Sequence, residues 1–248
     1  MVMFYDTSLL FLALAVIGVL FTGISKSGFA GGSGVVAVPL LALIIPISHA
    51  VIIMLPLLIL MDLKTIQYFR KNVAMKEVMM IVPAAMLGII VGGFLLGNID
   101  EQALQIGFGA LCVIFALWQG LAPYLNKLSG AAIFWGVVSG TTSTLIHSGG
   151  PPFNIYMISR ALPKEVWLAC AGVFFFVMNC VKIIPYYLLG DWSVPMLWTS
   201  FLLVPVALVG TYVGKMVQSV ISEKRFMQIC RFFLLLSGGF LIYKGLWL

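Results

Sequence analysis

Long stretches without a single charged side chain recur along this sequence, and they decide in which solvent it can fold. Residues 7–25 form one and residues 27–61 another, the second long enough for more than one bilayer pass. Others cover 78–99, 102–126, 128–159 and 192–214, while 166–190 and 226–248 are apolar with only a few cations. A helix crosses the hydrocarbon core of a bilayer with roughly 20 apolar residues. Helices and closed β-barrels alone satisfy every backbone group there. Barrel strands are about 10 residues of alternating polarity, whereas these runs are continuous, so the spans are predicted to be helices. Composition agrees. Charged residues make up 9% of the chain and hydrophobic ones 62%, against about 25% charged in a soluble domain. Too few charges remain to cover a water-facing surface. The fold class expected is an all-α integral membrane protein, one transmembrane domain over residues 1–248. Met1 to Asp6 carry no basic cluster, so the first apolar segment is expected to stay in place rather than be cleaved.

A net charge of +6 does not point to nucleic acid, because the basic residues sit in short loops, where they set membrane topology. Cys112, Cys170, Cys180 and Cys230 lie inside apolar runs without a C-x-x-C pair. They read as small packing residues, and neither a metal nor a cofactor is expected.

The chain aligns with itself when shifted by 118 residues, without gaps. Gly18 then falls on Gly136, Ser25 on Ser143, Gly31 and Gly32 on Gly149 and Gly150, Gly92 on Gly210, and Cys112 on Cys230. Lys64, Ile66 and Tyr68 fall on Lys182, Ile184 and Tyr186. Two halves, 1–125 and 126–248, are therefore expected. The loop with Arg70, Lys71 and Lys76 is basic and predicted to be cytoplasmic, while its counterpart at Asp191 has no cation. The loop at Asp100 and Glu101 is predicted to be external, and its counterpart with Lys215, Lys224 and Arg225 internal. Corresponding loops thus face opposite sides, the pattern of inverted-topology repeats. Each half is predicted to hold a broken or re-entrant helix pair (8–45 and 130–160) plus three transmembrane helices. Those are placed at 47–69, 78–97 and 103–122, and at 165–189, 195–215 and 226–247. Full spans in the leading segments remain the alternative.

Each leading segment is broken by a small, polar, glycine-rich stretch. The first runs Ser25, Lys26, Ser27, Gly28, Phe29, Ala30, Gly31, Gly32, Ser33, Gly34; the second holds Ser143, His147, Ser148, Gly149, Gly150, Pro151 and Pro152. Glycine at this density disfavours helix, and proline suits the first turn of a new one. Helices are expected to restart near Val35 and Phe153. A helix start inside the membrane offers free N–H groups and the positive end of its dipole, which together attract an anion. The residues expected at such a site are Ser25, Lys26, Ser27, Gly31, Gly32, Ser33, Ser143, His147, Ser148, Gly149, Gly150, Pro151 and Asn154. Close helix packing is the plainer use of such small residues; two breaks at matched positions favour the site. Lys64 and Lys182 either snorkel to the interface or line the anion path. Asp62 is expected to pair with a cation near the internal face, Asn179 to line the cavity or bridge helices, and Trp192, Trp198 and Trp247 to anchor span ends.

The run Gly28 to Gly34 leading into Pro39, Leu40 and Leu41, together with Gly149, Gly150, Pro151, Pro152 and Tyr156, resembles the two signatures of the TauE/SafE sulfite exporter family. His147 stands where that family usually has glycine. The resemblance implies movement, chiefly export, of a small sulfur-containing anion (sulfite, thiosulfate or an organosulfonate) across a bacterial plasma membrane. Alternating access between the two halves is the expected mechanism, with proton coupling suggested by the protonation chemistry of sulfite. The sequence leaves the oligomeric state open. An anion channel is the alternative, and an intramembrane enzyme a remote one: Ser148 beside His147 lacks any G-x-S-x-G or H-E-x-x-H context, so no catalytic residue is named.

Overall fold

The computed structural model describes residues 8–29, 36–125, 132–158, 160, 162–190, 192–218, 220 and 223–247. These form helices α1 (Leu9–Gly28), α2 (Ala37–Ala42), α3 (Ile47–Phe69), α4 (Met75–Asn98), α5 (Glu101–Leu125), α6 (Ala132–Ile146), α7 (Gly150–Ile158), α8 (Lys164–Leu188), α9 (Val194–Val217) and α10 (Glu223–Trp247). A 3-10 turn, Arg70–Asn72, joins α3 to α4. The six spans expected from the charge-free runs coincide with helices α3, α4, α5, α8, α9 and α10. Among the described residues, α1, α3, α4, α8 and α9 are long and apolar enough to cross a bilayer. Gln105 and Ser237 are buried polar members of α5 and α10.

Local chemistry sets the ends. Ser8 caps α1 by accepting from the Phe11 N–H at 3.2 Å, and Asp100 Oδ1 accepts from the Ala103 N–H at 2.8 Å to start α5. Pro46 and Pro163 occupy the N-cap positions of α3 and α8, and Pro195 lies in the first turn of α9. The second break restarts at Gly150, three residues before the expected Phe153, because both prolines fit within the first helical turn. The first resumes as α2, six residues long, and the expected restart at Val35 lies outside the described residues.

α3 is buried around most of its circumference and packs against α8 and α9. Ile90 and Phe94 of α4, Phe201 and Val209 of α9, and Phe240 of α10 turn outward, an apolar surface fit for lipid. Packing α4 on α6, α1 on α9 and α5 on α10 accounts for most of the remaining interface. Lipid is as apolar as leucine, so close backbone approach rather than the hydrophobic effect holds such helices together. Gly88 and Gly140 face each other across α4 and α6, where a Cβ on either would overlap a carbonyl of the other helix. A Cβ on Gly92 would stand 3.0 Å from the Thr141 oxygen, and one on Gly23 would stand 3.0 Å from the Gly210 Cα. Shifting by 118 carries Gly92 onto Gly210 and Gly23 onto Thr141, so the two crossings use corresponding positions.

Contacts at helix ends show how the elements run. Asn72, just past α3, donates to Glu165 at the start of α8 at 3.0 Å, which makes α3 and α8 antiparallel. Tyr156 near the end of α7 donates to Glu77 Oε2 at 3.0 Å, and Arg160 meets the same carboxylate at 2.9 Å. α7 therefore returns to the end at which α4 begins. Gly136 lies against Ile81 and Ala84, while Thr144 lies against Gly92, so α6 starts at that same end. The second leading segment thus goes in and comes back on one side.

Candidate functional site

The two breaks meet α3 and α8, and four polar side chains gather there. Lys26, at the C-terminal end of α1, forms a buried ion pair with Asp62 of α3. Asn179 of α8 donates to the other carboxylate oxygen at 2.6 Å. The Lys26 ammonium also lies 4.9 Å from the centre of the Phe175 ring, a cation–π distance. Asp62 was expected to pair with a cation near a membrane face; its partner is instead the lysine of the first break, and the pair is buried.

One helical turn beyond Asn179, Lys182 is fully buried. Its ammonium reaches the Ser143 carbonyl and hydroxyl oxygens, both at 3.0 Å, and His147 Nδ1 at 2.7 Å. Three donors thereby meet three acceptors. The other imidazole nitrogen, Nε2, lies 2.9 Å from the Val51 carbonyl. Since a lysine can only donate, Nδ1 is the acceptor and Nε2–H the donor, a neutral tautomer assigned from this network.

His147 has φ +53°, the left-handed region in which glycine is usual. That conformation ends α6, and the Ser148 N–H closes back onto the Thr142 carbonyl at 3.3 Å. A histidine there costs on the order of 1 kcal/mol. Its bonds to Lys182 and to α3 hold it in place, so the departure from glycine has a physical use.

The remaining residues expected at the site divide by what they touch. Ser25 is buried and its hydroxyl has no hydrogen-bond partner among the described residues, although its counterpart Ser143 accepts from Lys182. Ser27 donates to the Thr211 carbonyl at 2.6 Å and ties α1 to α9. Gly149 packs on α6: a Cβ there would stand 2.7 Å from the Ser139 oxygen, and Ser139 donates to the Gly149 carbonyl at 2.7 Å. Ser148 is buried beside it, and Gly150 and Pro151 open α7. Asn154 accepts from Trp167 at 3.0 Å and so braces α7 against α8. Gly31, Gly32 and Ser33 lie outside the described residues.

Lys64 and Lys182 occupy corresponding positions but unlike surroundings. Lys64 reaches Gln67 at 3.2 Å on an exposed face, away from the cluster that Lys182 joins. Among candidate residues, sequence reasoning gave Asp62 and Asn179 too little weight. A signal existed: between residues 7 and 63 the only formal charges are Lys26 and Asp62, and lone opposite charges in neighbouring spans are expected to find each other.

With both lysines protonated and Asp62 ionised, the cluster carries one excess positive charge in a region screened from water. An uncompensated buried ion is costly, and an anion is the ligand that would balance it. The family model described as sulfite exporter TauE/SafE matches residues 14–241, nearly the whole chain. Comparison with curated proteins and with solved structures finds no match.

Proposed function

The chain belongs to the sulfite exporter TauE/SafE family, and from that premise we propose that it is a secondary transporter. It moves a small sulfur-containing anion (sulfite, thiosulfate or an organosulfonate) outward across a bacterial plasma membrane. The observation that carries this reading is the pair of buried lysines, Lys26 at the first break and Lys182 of α8 reaching Ser143 and His147 at the second, against Asp62, the single buried carboxylate among the described residues. An anion lodged between the breaks balances the excess charge. Further donors for it are the Ser25 hydroxyl, which has no hydrogen-bond partner among the described residues, and the first N–H groups of α7.

The antiparallel packing of α3 and α8 supports inversion of the two halves, and small-residue seams let helices slide or rock without opening voids. In alternating access the halves rock about a site near the midplane. A carrier of this kind needs no bound cofactor and no nucleotide. The test is sulfite binding to the purified protein in detergent, with thiosulfate, sulfate and taurine as competitors, followed by counterflow in proteoliposomes. Saturable binding with counterflow is expected; ohmic anion current without counterflow would make it a channel instead.

A further inference from the structure

Asp62 is held through both oxygens by donors from other helices: Lys26 of α1 on one, Asn179 of α8 on the other. The carboxylate is buried with Lys26. The ionisable groups facing it are few. α1 offers only Lys26, and α8 offers Lys182 and Cys180, both of which interact electrostatically with Asp62. The break after α6 offers His147, engaged with Lys182. The one charge on α9, Lys215, lies over the Tyr68 ring near the far end of α3, and α2 and α6 have no ionisable residue. On α3 itself, Lys64 is turned to the exposed face.

An anion entering between the breaks wants the same ammonium that Asp62 holds. If Lys26 turns to the anion, Asp62 is left as a buried carboxylate with Asn179 as its remaining direct donor. Charge counting then separates two ligands. A monovalent anion brings the cluster from one excess positive charge to zero. A divalent anion overshoots to one negative, in a region where an unbalanced charge is strongly disfavoured. Protonating Asp62 restores the balance, and Asn179 can keep its bond to the carboxyl oxygen.

We infer that Asp62 is a proton-binding site, which takes up one proton from the aqueous phase as a divalent oxyanion displaces it from Lys26, so that the anion and the proton cross together. The Lys26 ammonium keeps its own protons throughout; hydronium gives one to the carboxylate and becomes water. This rests on the breaks being the anion site.

The experiment uses the full-length protein purified in detergent, with sulfite, thiosulfate and sulfate as probes. Calorimetry in two buffers of different ionisation heat counts the protons taken up per bound anion. Wild type should take up about one proton more than Asp62→Asn, a comparison that removes the titration of sulfite itself. Wild-type affinity for a dianion should weaken about tenfold per pH unit as pH rises through the range where empty Asp62 is ionised, while Asp62→Asn stays flat. Equal proton uptake by the two proteins overturns the inference. Should Asp62→Asn not fold, the wild-type profile decides: affinity that is flat with pH, after subtracting the titration of the free probe, overturns it equally. Binding of none of the three anions removes the anion site itself, and the proton site with it.

Discussion

Replacing Lys182 with methionine tests the centre of this scheme. Methionine fills a similar volume but deletes the ammonium that reaches Ser143 and His147. An ammonium about 4 Å from a monovalent anion is worth about 4 kcal/mol at an effective dielectric of 20. Part of that is offset, because the lysine must loosen its bonds to Ser143 and His147 to serve the anion. Hydrogen bonds to charged groups contribute about 1.5–3 kcal/mol net. A loss of about 3 kcal/mol is therefore expected, roughly 150-fold in Kd. Stability moves less. Removing a buried charge is favourable, while the His147 acceptor is left without its donor, so the two effects partly cancel to within about 2 kcal/mol. Sulfite calorimetry alongside gel filtration and thermal melting in detergent reads both quantities. A folded Lys182→Met protein that binds sulfite within about threefold of wild type, which is under 1 kcal/mol, refutes the assignment of Lys182 to the anion.

Other outcomes follow from the same geometry. Gly149→Leu should abolish counterflow while the protein still inserts, because its Cβ would stand 2.7 Å from the Ser139 oxygen; such overpacking costs about 1–3 kcal/mol or more. Gly107→Ala is the control, since nothing lies within 4 Å of a Cβ there, and its transport should match wild type. Single cysteines at Lys71 and Trp192, in an otherwise cysteine-free chain, should be labelled by an impermeant maleimide from opposite faces of the membrane. Labelling from the same face would refute the inverted arrangement.

Membrane residence, helicity and the position of the spans were legible in the sequence, because lipid allows few ways to satisfy a backbone. The charge-free runs set where α3, α4, α8 and α9 lie to within a few residues. The two breaks were legible for a related reason: glycine density and tandem proline act locally, so Gly149 to Pro152 announce a restart without any knowledge of neighbours. What escaped was partnership. Lys64 and Lys182 share a motif, yet one meets Gln67 at the surface and the other His147 in the interior. Asp62 looked like an edge residue and lies paired with Lys26 at a break. His147 departs from glycine, and the reason appears only once Val51 and Lys182 are seen on either side of its ring. Hydropathy and turn chemistry depend on a residue and its close neighbours along the chain, and those the sequence determined alone. Which face of a helix turns inward, and which distant charge it meets there, depends on how the helices pack, and only the tertiary structure decided that.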